Sequence, residues 1–348
     1  MAIKDSKPII EGKRGSEDSD SRVNAPPVHP QLATQWSRDL LRPETITVLL
    51  LVAAFLGSIY LSPYFLDLHF LLDSTSLYME IGIMALAMTF IIISGNIDLS
   101  VASGLALVSV VIGLLYSSLG VPMALAMVVG LIVGVALGLF NGLLITRLGL
   151  PSLTVTLGTL ALYRGIAQVL LGDHSIGKLP SWFVGMDYRR IGDLVPLPLI
   201  IFMLLAVLFG LLLHKTVFGR WSYAIGTNEA AARYSGIPVD RAKLWIFAIS
   251  GLMMAVGGIL MTSRLAVSRF DNATGRELDV ITAVVLGGTD INGGRGSIFG
   301  TVVALFLLGI LRSGMGVANI KAENQLAVVG TLLIVAILLS NATARRKR

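Results

Sequence analysis

Apolar runs of about 20 residues recur from residue 46 almost to the C-terminal end, each long enough to cross the ~30 Å hydrocarbon layer as a helix. That recurrence decides most of what the chain can fold into. Inside lipid each run must satisfy its own backbone hydrogen bonds, which a helix does and an isolated strand does not. Charged residues make up 14% of the chain, against about 25% in soluble domains, and the mean hydropathy is +0.81. The expected fold class is therefore an all-α integral membrane protein.

Hydropathy marks ten segments, at 46–62, 76–93, 100–118, 122–145, 152–171, 195–213, 245–263, 278–288, 297–313 and 323–340. We expect about ten transmembrane helices, some broken or short, in a domain spanning 45–341. Residues 1–44 are polar, of mixed charge and contain Pro26, Pro27 and Pro30. They read as a disordered cytoplasmic tail rather than a cleavable signal, with Leu32, Trp36, Leu40 and Leu41 at the spacing of a short interfacial helix. Residues 342–348 form a basic cytoplasmic tail.

One polar island interrupts the apolar pattern. Thr227 to Lys243 reads TNEAAARYSGIPVDRAK, and with Lys215, Arg220, Arg233 and Arg241 it forms a basic segment over 214–244. Lys and Arg resist translocation beside a span, so this segment is expected to face the cytoplasm with both termini. Asn228–Glu229 is a capping-type helix start, and Gly236 is an early stop. A net charge of +6 could invite nucleic acid, but basic residues beside spans record orientation, and no nucleic-acid partner is expected.

Several chemistries are excluded. The chain has no cysteine and four scattered histidines, His29, His69, His174 and His214, so no metal site is expected. Gly172 to Leu179 imitates a phosphate-binding loop, but Leu179 stands where a magnesium-holding hydroxyl belongs. Gly294 to Gly300 misses the dinucleotide spacing by one residue. With no catalytic triad or zinc motif either, no catalytic residue or cofactor is expected in this chain, and any ATP-driven work must come from another polypeptide.

The candidate path residues lie at two similar interruptions, Ser94–Ser103 (SGNIDLSVAS) and Gly288–Ser297 (GTDINGGRGS). Irregular backbone at membrane depth is tolerated where it is buried in protein or lines a cavity, and paired interruptions point toward a transport path. Asn96, Asp98 and Asn292 lie in these breaks. Asp98 reads either as the cytoplasmic mouth of a path or as part of the cap, with Ser100, of the next helix. Arg164 sits inside an apolar segment, where it either pairs with Glu80 or snorkels to the outer surface. Thr156 and Thr159, with Ser152 and Thr154, either meet a hydroxyl-bearing solute or bond their own helix. Gly130, Gly134 and Gly138 lie four apart, which suits close helix packing.

Four strings occur in order: SGNIDLSVAS, NGLLITRLGLPSLTVTLGTLALYRGIA, AIGTNEAAARYSGIPVDRAKLWIFAISGLMMAVGGIL and AVVLGGTDINGGRGSIFGT. Together they closely resemble the monosaccharide branch of bacterial ABC-importer permeases, which includes the ribose, xylose, rhamnose and autoinducer-2 systems. The resemblance covers residues 45–340 and implies that family's ten-span permease fold in the inner membrane. It also implies cytoplasmic ATP-binding subunits, a periplasmic solute-binding protein, a second permease copy or sister permease, and a small neutral sugar as solute. Asn228, Glu229, Ala230, Ala231, Arg233, Gly236 and Ile237 match the family's ATPase-coupling segment. An ion-coupled secondary sugar transporter shares the hydropathy, but would be expected to carry an ion site within the spans.

Overall fold

The computed structural model describes residues 43–61, 63–186 and 189–345. Helix α1 (Pro43–Leu61) leads through a 3₁₀ turn to α2 (Leu68–Thr75), α3 (Met79–Ile93) and α4 (Val101–Ser117). Two long helices follow, α5 (Met123–Arg147) and α6 (Ser152–Leu171), then a short turn of helix, α7 (Ser181–Val184). An antiparallel hairpin of β1 (Arg190–Ile191) and β2 (Val195–Pro196) pairs Arg190 with Pro196 and Ile191 with Val195. The rest is helical: α8 (Leu197–Lys215), α9 (Val217–Thr227), α10 (Glu229–Tyr234), α11 (Val239–Leu265), α12 (Arg276–Leu286), α13 (Ile298–Val317) and α14 (Ala322–Arg345).

Local chemistry sets many of these ends. Pro122, Pro151, Pro180, Pro196 and Pro238 immediately precede α5, α6, α7, α8 and α11. Proline suits that boundary because its fixed φ and missing N–H cost nothing before the first helical turn. Asp67 caps α2 by accepting His69 N at 2.8 Å, and Ser297 caps α13 by accepting Gly300 N at 3.1 Å.

All ten apolar segments carry a helix, yet helix length does not carry ten crossings. Among the described residues, α5, α6, α8, α11 and α13 are long and apolar enough to cross singly. The pair α2 and α3, bent by 53°, is a sixth. Helix α12 has 11 residues, only about 16 Å of rise. The expected ends also move. Pro43 and Glu44, assigned to the tail, open α1, and Arg264 and Arg276 lie within helices just beyond the hydropathy bounds. The C-terminal helix runs on to Arg345. The remaining expectations for the N-terminal tail, including a helix at Trp36, and those for 346–348 fall outside the described residues.

Helix α11 is the centre of the bundle, packing on α3, α4 and α5. Its apolar window is 72% buried, against 28% for those of α5, α6 and α8, which present broad apolar faces outward. The crossing of α5 and α11 is made by glycine. A Cβ on Gly134 would stand 2.5 Å from Gly251 O, and one on Gly138 would stand 2.9 Å from Gly251 Cα. The backbones therefore touch, which maximises dispersion contact where lipid supplies no hydrophobic drive between helices. Gly130 continues the stripe against Ile112 of α4. Hydroxyl pairs add to this packing, with Thr89 and Thr301 2.8 Å apart between α3 and α13, and Thr262 and Ser109 2.6 Å apart between α11 and α4.

Gly251→Ala is expected to destabilise the folded protein in detergent by about 1–3 kcal/mol, as overpacking does. Gly158→Ala, with nothing within 4 Å of its added methyl, should be neutral or stabilising by up to about 1 kcal/mol. Equal thermal stability of the two variants would remove the close crossing.

Candidate functional site: a polar segment seated on two helix breaks

The polar island folds as a small self-packed unit. Thr216 caps α9 by accepting Gly219 N at 3.3 Å, and Asn228 makes the corner between α9 and α10. Asn228 N–H closes α9 on Ala224 O at 3.1 Å, while its side-chain oxygen opens α10 by accepting Ala231 N at 2.9 Å. Gly236, at φ +78°, stops α10 in the left-handed conformation that its missing Cβ permits. Ile225, Ala232, Val239 and Ala242 bury a local core beneath the corner, with Ile237 and Trp221 at its edge.

Charge holds the unit shut. Glu229 accepts from Lys243 Nζ at 2.6 Å and from Arg233 at 3.1 Å. Arg233 also donates both terminal nitrogens to Asp240. Burial alone would raise the Glu229 carboxyl, but the hydrogen bonds and charges of Lys243 and Arg233 outweigh it and hold the group below its ordinary value. The Arg233 hydrogen bond likewise lowers Asp240, and the two carboxylates raise Arg233 in turn. Glu229 and Arg233 are thus engaged within the unit. Ala230, Ala231 and Tyr234 are exposed, and Tyr234 is 94% accessible. The exposed face of α10 therefore carries small residues and one tyrosine beside the engaged Arg233.

This unit sits directly on the two helix breaks. Helix α3 ends at Ile93 and α12 at Leu286, with irregular backbone running to Ser100 and Ser297. Gly95 and Gly288, at φ +76° and +89°, terminate these helices in the same way. Gly95 N bonds Ile92 O at 2.9 Å and Asn96 N bonds Ile91 O at 3.0 Å, while Gly288 N bonds Val285 O at 2.9 Å and Thr289 N bonds Val284 O at 3.3 Å. The breaks then join each other, because Gly294 N donates to Ile93 O at 2.8 Å. The last turn of α9 presses into that joint. A Cβ on Gly226 would stand 2.5 Å from Gly294 N and closer still to Ile93 O. Tyr223 Oη donates to Gly296 O at 2.7 Å.

Above the joint lies a buried polar node. Asp98 is fully buried, and its carboxylate accepts Ser100 N at 2.9 Å and Ser100 Oγ at 2.6 Å. Asn141 of α5 donates to Ser100 Oγ at 2.8 Å, and Tyr163 of α6 donates to Asn141 at 3.1 Å. Ser250 of α11 closes on Asp98 at 3.5 Å. Thr156 donates to Ile97 O, and Ile97 N to Ser152, both at 3.2 Å. Thr159 turns back to Thr156 O, and Asn96 bonds Ser94. Asp98 is therefore sealed within protein rather than open at a mouth. The capping bond is made by Asp98, since the Ser100 side chain makes none. Asn292 is apart from this node, exposed in a turn on Asp290.

The expected Arg164–Glu80 pair is not formed. Helix α11, not α6, packs against α3, so Glu80 takes Arg264 Nε at 2.8 Å. Arg164 instead donates to Phe270 O and Asn272 O, steadying the 269–272 loop. At this far end of α11, away from the island, Asp73, Ser76, Arg190 and Arg264 help line a cavity of about 520 Å³.

Long apolar helices, broken backbone buried between them and a polar unit seated on the breaks define a multi-pass membrane permease. The chain belongs to the family described as "Branched-chain amino acid transport system / permease component", whose model matches residues 70–337. It is 39% identical over 295 residues to the autoinducer 2 import system permease protein LsrD of Escherichia coli K12 and of Shigella flexneri, covering 83% of this chain and 88% of each relative. The counterpart in Escherichia coli O157:H7 is 38% identical over the same shares. No solved structure matches. These findings agree with the resemblance to monosaccharide-type ABC-importer permeases.

Removing either member of the mostly buried Glu80–Arg264 pair is expected to cost about 3–5 kcal/mol of stability. Glu80→Gln and Arg264→Gln should be strongly non-additive in thermal unfolding, whereas Glu80→Gln and Arg164→Gln should add. The reverse pattern would restore the other pairing. A pH dependence follows from the island. Lowered carboxyls stabilise above their ordinary values of 4.5 and 3.8 and lose that contribution as pH falls through the lower folded values. Protease protection of 229–243 should therefore persist at pH 6 and weaken below about pH 4. Glu229→Gln should flatten that response.

Proposed function

We propose that this chain is the membrane-spanning subunit of an ATP-driven importer. It moves a neutral, hydroxyl-bearing solute of the monosaccharide class from periplasm to cytoplasm across the inner membrane. The island at 227–243 faces the cytoplasm with both termini and receives the push of partner ATP-binding subunits, which hold ATP and magnesium. A periplasmic solute-binding protein delivers at the opposite end, and a second copy or a sister permease completes the path. The relatives are named for import of autoinducer 2, which makes it the first solute to test, followed by ribose and rhamnose.

The observation that carries this reading is the seat of α9 on the joint between the breaks. Displacement of α10 reaches α9 through the Asn228 corner. From Gly226 and Tyr223 it passes to both broken helices at once, because Ile93 and Gly294 share a hydrogen bond there. The polar node above can meet a hydroxyl-bearing solute only when the helices around it part. An ion-coupled carrier would use Asp98 as its site and would need no such contact at the island.

The test is uptake into vesicles holding the complete importer. Glu229→Lys breaks two ion pairs and places three cations together, costing on the order of 1 kcal/mol locally. It should leave membrane insertion intact and abolish solute-stimulated ATP hydrolysis. Normal transport in that variant would remove the coupling assignment. Uptake that continues with the ATPase disabled would favour the ion-coupled carrier.

A further inference from the structure

A second cavity, of about 390 Å³, opens where α5 ends and α11 begins. Thr146 and Arg147 line it from one side, and Asp240, Arg241 and Leu244 from the other. Its charge is unbalanced. Asp240 is engaged by Arg233, and Lys243 nearby is engaged by Glu229. Arg147 and Arg241 are exposed and form no ion pair among the described residues. Arg147 adds to the positive field that lowers Asp240 without reaching it in a bond.

The two helices also mark the same level of the membrane. On α5, Leu143 is 44% exposed and Arg147 stands one turn farther out. On α11, which runs the other way past this point, Trp245 is 63% exposed and Arg241 stands one turn farther out. Residues four apart share a helix face. Both faces therefore step from a lipid-facing apolar or aromatic side chain to an arginine at one height. Tryptophan at such a step belongs to the belt at the headgroup level.

We propose that this groove holds the phosphate headgroup of an anionic phospholipid between Arg147 and Arg241, with Trp245 and Leu143 against its acyl chains. A headgroup there bridges the end of α5 to the start of α11 and braces the segment carrying Asp240 and Lys243. A free phosphate offers the arginines the same charge but nothing to the exposed apolar residues one turn deeper. Arg233 and Ile237 of the island also line the groove, but their ion pairs and packing are made within the island, which leaves Arg147 and Arg241 as its unengaged cations among the described residues. This site does not depend on the transport reading.

The full-length chain is placed in nanodiscs of phosphatidylcholine containing a minor share of phosphatidylglycerol, and retained lipid is identified by native mass spectrometry. Two arginines near the membrane surface should favour the anionic lipid by about thirtyfold. That preference should vanish in the Arg147→Gln, Arg241→Gln double variant and survive in Arg269→Gln at the far face. Inorganic phosphate added at millimolar concentration should not displace the lipid. Unchanged preference in the double variant overturns the proposal, as does displacement by phosphate alone. A wild type without preference, whose double variant instead fails to retain the partner ATP-binding subunits, also overturns it and makes the groove a protein-docking surface.

Discussion

A carbonyl released by a broken helix has no water to turn to inside a bilayer, and leaving it unpaired costs several kcal/mol. This fold answers that constraint by letting its two breaks bond each other. Ile93 O, freed at the end of α3, takes Gly294 N from the other break. The exchange requires backbone against backbone, so the positions around it are Gly95, Gly226, Gly293 and Gly294. A Cβ at Gly293 would already stand 2.9 Å from Gly95 Cα. The same contact fixes where α9 ends, and through Asn228 where α10 begins.

The same reasoning extends outward. With no hydrophobic drive between helices, α11 is held at the centre by close glycine crossings and by polar bonds that lipid cannot replace. Glu44, at the first turn of α1, accepts Ser297 Oγ at 2.6 Å, and Thr47 Oγ1 donates to Leu286 O at 2.7 Å. Helix α1 is thereby tied to the rim of the second break. Asp98, Ser100, Asn141 and Tyr163 tie the first break to α5 and α6. These buried polar groups are matched to another helix, which gives the packing a register that apolar side chains alone would leave loose.

What was legible in the sequence follows the range of the cause. Helix starts and stops depend on neighbours a few residues away, so Asn228, Gly236, the two breaks and the stripe from Gly130 to Gly138 could be read directly. Pairings between distant segments could not. Glu80 and Arg164 looked matched in depth, but depth does not say which helices touch, and α11 came between them with Arg264. Asp240 was missed as the partner of Arg233 because seven residues and a turn separate them. Asn141, Tyr163 and Ser250 sit inside apolar strings, where one polar residue barely moves hydropathy. The one available signal was that a buried amide or hydroxyl in a span demands a partner. The number of crossings was not legible for a related reason, since apolar length on paper does not show which helices stop early in buried protein, as α12 does.

The two breaks are alike where they begin and unlike in how firmly they are held. Around the first, Asn96, Ile97, Asp98 and Ser100 all have partners, reaching α5, α6 and α11. The second retains Thr289 Oγ1, buried and without a hydrogen-bond partner among the described residues, and its Asp290 bonds only within its own turn. An unsatisfied hydroxyl makes the present arrangement less favourable by about 1–3 kcal/mol than one in which it is bonded. In this structure the first break is therefore the more completely bonded of the two. The second break is held mainly toward its far rim, where Gly294 N meets Ile93 O, Tyr223 meets Gly296 O and Ser297 Oγ meets Glu44, so its unsatisfied part is the stretch next to α12.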